Sequence, residues 1–261
     1  MSTTTLTAPI PLNTAGVHAR PGLGRLVAVE LRKMVDTRAG FWMQVATVAL
    51  TVLVVIVGSV VGDTADHTFA SLLDVGVFPA AVLLPVAGIL LVTSEWSQRT
   101  GMITFALVPV RSRVLGAKLV ASLVLAVAML AMAVAVVAAG VLVASPGADG
   151  AWSDVAPLIG QSAVYLTAGM ITGVAFGMVL LASAPAIVAL FALPIAWTAV
   201  ASLSFFADAA PWLDTRLALG PMPQEVMSAT QWAHAGTALA LWMLLPLLIG
   251  TWRITRREVA S

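Results

Sequence analysis

The stretch FWMQVATVALTVLVVIVGSVV, Phe41 to Val61, runs for 21 residues without a charged side chain. An α-helix rises about 1.5 Å per residue, so roughly 20 apolar residues are needed to cross about 30 Å of hydrocarbon. A strand of a membrane barrel would instead alternate apolar and polar side chains over about ten residues. The stretch therefore predicts a membrane-spanning helix.

Five further segments are long and apolar enough to span a bilayer. They are Val75 to Thr93, Leu115 to Val143, Pro157 to Ala182, Ala186 to Phe206 and Trp232 to Thr251. The whole chain has 261 residues and a mean hydropathy of +1.02, which is too apolar for one soluble core. We expect an all-α polytopic membrane protein with six transmembrane helices over residues 39–252, and a turn at Ala182–Pro185 between the fourth and fifth.

The distribution of basic residues predicts the orientation. With six spans and a cytoplasmic N-terminus, twelve of the thirteen Lys and Arg residues fall in cytoplasmic segments, and only Arg216 lies outside. Cytoplasmic loops of membrane proteins carry this excess of Lys and Arg. We therefore expect a protein of the plasma membrane with both termini cytoplasmic, including a disordered tail over residues 1–21 and a short tail over 253–261.

Residues 22–38 have the pattern of an amphipathic helix lying on the inner leaflet. Leu26, Leu31 and Met34 share one face, and Arg32 lies opposite. Glu30 falls within the apolar face, three residues before Lys33. Two interpretations stay open: a local ion pair between these two residues, or a surface for docking another protein.

A cytoplasmic loop over residues 94–115 joins the second and third spans. It holds Glu95 and several basic residues around the apolar segment Met102 to Val108, which is too short to cross a bilayer. An apolar segment of this kind needs a covering surface. The alternative is that the basic residues only fix the topology and bind anionic lipid.

These features resemble the permease subunits of type 2 ATP-binding-cassette exporters, which move drugs, lipids and polysaccharides. The resemblance rests on the basic amphipathic helix, the six spans and the loop with Glu95, Thr100, Gly101, Pro109, Arg113 and Lys118. It implies that the loop is a coupling helix docked on a separate ATPase subunit, beside the amphipathic helix. The residues implied in this coupling are Glu30, Lys33, Glu95, Arg99, Thr100, Gly101, Phe105, Pro109 and Arg113.

The resemblance also implies partners and a place for the cofactor. A second permease chain, identical or paralogous, would complete the transporter, and no nucleic acid is expected to bind. The chain has no G-x-x-x-x-G-K-[ST] phosphate loop, so ATP and Mg²⁺ are expected on the partner ATPase and no cofactor on this chain. We therefore do not expect the chain to be an enzyme.

Uncharged polar residues within the spans are the candidates for the substrate path, because a charge at mid-bilayer is costly. These candidates are Gln44, Gln161, Tyr165, Thr167 and Thr172. Gly169, Gly173 and Gly177 form a ridge on the fourth span that predicts close packing with another helix. The outer segment 206–231 is longer than a turn requires and is a candidate re-entrant segment.

Two other functions and one further site stay open on the sequence. Ion-coupled secondary transport is the first alternative, although few charges lie within the spans. Intramembrane hydrolysis is the second, with His234 and one of Ser202, Ser204 or Asp208 as the named candidates. The outer loop residues Asp63, Asp66 and His67 match no established metal site, and we expect a solvated acidic loop.

Overall fold

The computed structural model describes residues 22–61, 67–97 and 111–256. Within these ranges the chain is helical and contains no strand. Six helices are long and apolar enough to cross a membrane, so the prediction of an all-α polytopic membrane protein is confirmed. The N-terminal tail over residues 1–21, residues 257–261 of the C-terminal tail, and the loop residues Arg99, Thr100, Gly101, Phe105 and Pro109 lie outside the described residues.

The amphipathic helix spans Leu23–Asp36 and ends sharply before the first span. Thr37 is extended, and its hydroxyl accepts a hydrogen bond from the backbone N–H of Gly40 at 3.1 Å. This N-cap starts a new helix in a new direction. Gly40 is required at the corner, because a Cβ there would lie 2.0 Å from the carbonyl oxygen of Met34.

Of the connections between the six spans, the shortest lies between spans four and five and the longest, residues 202–228, lies before span six. Their helices are span one Arg38–Val60, span two Phe69–Ser97, span three Arg111–Ala144, span four Val155–Leu180, span five Ser183–Ala201 and span six Ala229–Leu239, Ala240–Leu244 and Leu245–Arg256, where the middle segment is a π-helix. The predicted turn between spans four and five is confirmed, with Leu181 in the left-handed conformation at the helix end. Span six continues to Arg256, beyond the predicted start of the tail at residue 253.

Spans two and four form the centre of the bundle. They pack against each other along their length, and the other spans surround them. Leu73 and Leu84 of span two and Leu158, Leu166 and Met170 of span four are fully buried in this core. Spans one, five and six expose large apolar side chains on their outer faces, as lipid-facing helices do.

Glycines of span four allow spans two and four to approach closely. A Cβ on Gly173 would lie 1.9 Å from the carbonyl oxygen of Pro85, and one on Gly177 would lie 3.1 Å from the carbonyl oxygen of Ile89. Gly169 has more room, with Pro85 Cγ at 3.5 Å. The predicted glycine ridge therefore contacts span two of the same chain.

Candidate functional site

Four charged side chains form one cluster at the end of the bundle next to the amphipathic helix. The Lys33 ammonium donates to Glu30 Oε1 at 2.7 Å and to Glu95 Oε1 at 2.6 Å. The Lys118 ammonium donates to Glu30 Oε2 at 2.8 Å and to Glu95 Oε1 at 2.9 Å. Each ammonium thus bridges both carboxylates, and the formal charges of the cluster sum to zero.

The four members of this charge cluster come from three helices. Glu30 and Lys33 lie on the amphipathic helix, Glu95 near the end of span two and Lys118 in the second turn of span three. The Lys118 ammonium also donates to the Leu91 carbonyl of span two at 3.2 Å. The cluster therefore fastens the amphipathic helix to both helices from which the loop 98–110 departs.

Three of the four charged side chains are buried, and burial of a charge costs free energy unless the charge is paired. Glu30, Glu95 and Lys118 are 4%, 6% and 3% exposed, so each has lost nearly all of its hydration. Breaking a buried ion pair by removing one partner costs about 3–5 kcal/mol, since the other charge stays buried. Replacing any one of the three buried residues by a neutral one is therefore expected to destabilise the fold.

Lys33 differs from the other three because about a third of its side chain is exposed. Burial by itself would lower the pKa of Lys33, but hydrogen bonds and the negative charges of Glu30 and Glu95 outweigh it and raise that pKa above its ordinary value. Lys33 is therefore fully charged at neutral pH. Of the two predicted interpretations of Glu30, the local pair with Lys33 is present, and the bond to Lys118 is an additional contact.

At the opposite end of the bundle, Gln161 of span four holds the outer segment in place. Its amide nitrogen donates to the carbonyls of Met222 at 2.9 Å and Glu225 at 2.7 Å, and its amide oxygen accepts from the N–H of Met227 at 2.8 Å. The amide group is thus bound to the backbone on three sides. In the structure Gln161, which we predicted for the substrate path, binds the backbone of the outer segment through its side-chain amide.

The outer segment itself is built from short helices, Ser204–Phe206, Ala210–Leu213 and Thr215–Leu219. Asp214 is buried and caps the last of them, and one of its carboxylate oxygens accepts a hydrogen bond from Thr198 of span five at 2.6 Å. The indole N–H of Trp242 in span six donates to the Leu213 carbonyl at 2.8 Å. Side chains of spans four, five and six therefore hold this segment against the bundle.

A cavity of about 290 Å³ lies beneath the outer segment, between spans two, four, five and six. Of the residues predicted for the substrate path, Tyr165 and Thr172 line it, as does Gly169 of the glycine ridge. Gln161 and Thr167 do not. Gln44 lies on span one, where its amide atoms are buried and find no hydrogen-bond partner among the described residues.

The residues named for other chemistry are not assembled into a site. His234 contacts the edge of the Trp212 ring at 4.4 Å between centroids, and it makes no hydrogen bond to Ser202, Ser204 or Asp208 within the described ranges. No group of three potential metal ligands occurs in the described part of the chain. His67 is buried and contacts the Val61 carbonyl, whereas Asp63 and Asp66 lie outside the described residues.

Comparison with protein-family models and with curated proteins found no match for this chain. The fold and the site nevertheless define a class: an all-α polytopic membrane protein with a buried, charge-balanced cluster at one end and a fastened outer segment at the other.

Two contacts were not predicted as such from the sequence. Lys118 was noted only as part of the loop pattern, because nothing in the sequence shows that it reaches Glu30, 88 positions away. Arg253 donates to the Val179 carbonyl at the end of span four, a favourable place for a cation near a helix C-terminus. In the sequence, Arg253 could be recognised only as a basic residue near the end of the last apolar segment.

Proposed function

We propose that this chain is the permease subunit of an ATP-driven exporter and that it couples to a separate ATPase subunit through the loop between spans two and three. The observation that carries the proposal is the charge cluster, which joins the amphipathic helix to the ends of both helices that flank this loop. A displacement of the helix ends that flank the loop would then be shared by spans two and three and the amphipathic helix, because the cluster joins all three.

The cluster suits this role because its hydrogen bonds hold the side chains in fixed positions and the formal charges of the four side chains cancel. Lys118 contacts both carboxylates and a backbone carbonyl within one nearly dry site, so its position is fixed by three bonds. Charge-assisted hydrogen bonds are shorter and stronger than neutral ones. About a third of the Lys33 side chain is exposed, and we expect a partner to dock at this edge of the cluster.

The proposed assembly has three components. The ATPase subunit would bind ATP and Mg²⁺ and supply the energy, this chain would form the substrate path, and a second permease chain would complete the transporter. The assembly would lie in the plasma membrane, with the amphipathic helix and both termini in the cytoplasm. The basic residues support this orientation, since twelve of thirteen fall on the cytoplasmic side.

Single cysteines at Thr3, Asp149 and Ser261 test the orientation in the cysteine-free chain. A membrane-impermeant thiol reagent added to intact cells should label the cysteine at position 149 and neither terminal one. Labelling at 261 without labelling at 149 contradicts the orientation.

Co-purification tests the coupling. The tagged chain is extracted from its native membrane in mild detergent, and the eluate is examined for a protein carrying the G-x-x-x-x-G-K-[ST] loop and for ATP turnover. We expect both with the wild-type chain and with Arg32→Gln, which removes an exposed charge from the amphipathic helix outside the cluster. Glu95→Gln and Phe105→Asp should reduce both. Substrate movement by the chain alone in a proton or sodium gradient would favour secondary transport instead.

A further inference from the structure

The cavity of about 290 Å³ beneath the outer segment has a chemical character of its own. Spans two, four, five and six and the helix Thr215–Leu219 enclose it. Its volume lies near the lower limit for small-molecule sites, which are typically about 300–1,000 Å³. A cavity of this size accommodates a compact ligand of one or two rings.

Two prolines each remove a helix hydrogen bond beside this cavity. Proline has no backbone N–H, so the carbonyl four residues earlier in the helix loses its usual donor. Pro85 in span two removes the donor for the Ala81 carbonyl, and Pro194 in span five removes the donor for the Leu190 carbonyl. All four residues line the cavity. Two of the helices that line the cavity thus each contain a carbonyl that lacks its usual helical donor.

Side-chain hydroxyls add to these acceptors. The Thr172 hydroxyl donates its hydrogen to the Ala168 carbonyl at 2.8 Å, which leaves only lone pairs to offer a ligand. Tyr165 also lines the cavity, and its hydroxyl can accept a hydrogen bond as well as donate one. The cavity therefore has more acceptors than donors, and a ligand that donates a hydrogen bond matches it.

The remaining walls are aromatic and aliphatic. Phe176, Phe191 and Trp242 line the cavity, and none of its lining residues carries a formal charge. Burying an unpaired charge is far more costly than burying a neutral donor, so the ligand should be uncharged. Aromatic rings stack or pack edge to face on walls of this kind.

Two of the lining residues are also exposed on a candidate membrane span. Phe191 and Ile195 of span five line the cavity and are 39% and 70% exposed on a membrane-spanning helix. A hydrophobic molecule dissolved in the membrane therefore reaches the cavity without passing through water.

We propose that this cavity binds a neutral aromatic molecule that carries a hydrogen-bond donor, with the donor directed at the acceptors of spans two, four and five and the ring held among the aromatic side chains. The site is complete within one chain. It requires neither an ATPase nor transport, so its test is independent of the proposed function.

The test compares two probes that share the same ring and oxygen, where a methyl group replaces the hydroxyl hydrogen of the second. The purified chain alone is placed in lipid nanodiscs, and the ¹⁹F line broadening of 4-fluoro-1-naphthol and of its methyl ether is measured against empty nanodiscs, which corrects for partition into lipid. We expect the naphthol to bind about fivefold more tightly, as one hydrogen bond of about 1 kcal/mol gives. Equal affinities in the wild-type chain overturn the proposal without the need for any variant.

A matched pair of variants locates the binding. Gly169 lines the cavity and has only ordinary contact with Pro85, so Gly169→Leu should fill the space and abolish naphthol binding. Gly160 lies on the opposite face of the same helix with nothing within 4 Å, and Gly160→Leu should leave binding unchanged. Binding that survives Gly169→Leu, or is lost equally in both folded variants, places the probe elsewhere and contradicts the assignment.

Discussion

Replacing Lys118 by Met removes the most buried cation of the charge cluster while retaining a long, flexible side chain. The four side chains of the cluster are two carboxylates and two ammonium groups, so the variant removes one of the two ammonium groups and lowers the charge of this set by one. Glu30 and Glu95 are 4% and 6% exposed and have little access to water that would compensate. We expect a loss of about 3–5 kcal/mol in the free energy of unfolding.

The size of this effect separates it from an ordinary surface substitution. Native proteins are stable by only about 5–15 kcal/mol, so the predicted loss is a large fraction of the total. Lys33→Met should cost less, about 1–2 kcal/mol, because its side chain is 34% exposed and water screens the charges that remain. Arg32→Met, an exposed neighbour on the same helix, should be within about 0.5 kcal/mol of wild type.

The assay is reversible unfolding of the purified chain in mixed micelles of increasing SDS content, followed by circular dichroism. The double variant Glu30→Gln with Lys118→Met should recover part of the loss, because it restores one carboxylate to one ammonium. A Lys118→Met chain as stable as the Arg32→Met chain would refute the reasoning. It would show that the cluster is either hydrated or absent in solution.

Three further outcomes are expected. Because its partners raise the pKa of Lys33, the stability that Lys33 contributes should be constant from pH 7 to 9 and fall only above its ordinary pKa of about 10.4, as alkaline titration of unfolding checks. Gly173→Leu should prevent stable folding, since even a Cβ there meets the Pro85 carbonyl, whereas Gly169→Ala should be tolerated; thermal unfolding distinguishes them. Gln161→Leu should leave the backbone of the outer segment unpaired, and amide hydrogen exchange over residues 220–228 should accelerate while the core of the spans is unchanged.

Most of the fold could be predicted from the sequence because the membrane restricts the possibilities. A long uncharged run must be helical, and the excess of basic residues on alternate loops fixes how many runs there are. The turn at Leu181 to Ser183 followed from the same count, since a single long span would have reversed the C-terminal end. Local pattern also placed Glu30 on the apolar face of the amphipathic helix.

The arrangement of the charge cluster could not be predicted in the same way. Which acid meets which base depends on how three helix ends converge, and periodicity along one helix carries no information on that. Glu30 and Lys118 are far apart in sequence and meet only after spans one, two and three have packed. The sequence therefore indicated that Glu30, on the apolar face of its helix, needs a partner, without identifying Lys118 as one.

The polar residues of the spans show a similar limit. An uncharged polar side chain in a transmembrane helix either lines a path or satisfies the backbone of a neighbouring segment, and composition is the same in both cases. Tyr165 and Thr172 line a cavity, whereas Gln161 fastens the outer segment. The difference depends on where the residues after span five fold back, which no local pattern determines.

The most direct test of the proposed function is the ATP turnover of the chain reconstituted with the ATPase that purifies with it. ATP turnover should be measured in the same lipid with the wild-type chain, with Glu95→Gln and with the control Arg32→Gln, and the three rates compared. We predict that the wild-type and Arg32→Gln chains change the ATPase rate to the same extent, and that Glu95→Gln loses this effect while still inserting in the membrane. A Glu95→Gln chain that regulates turnover like wild type would contradict coupling through the cluster.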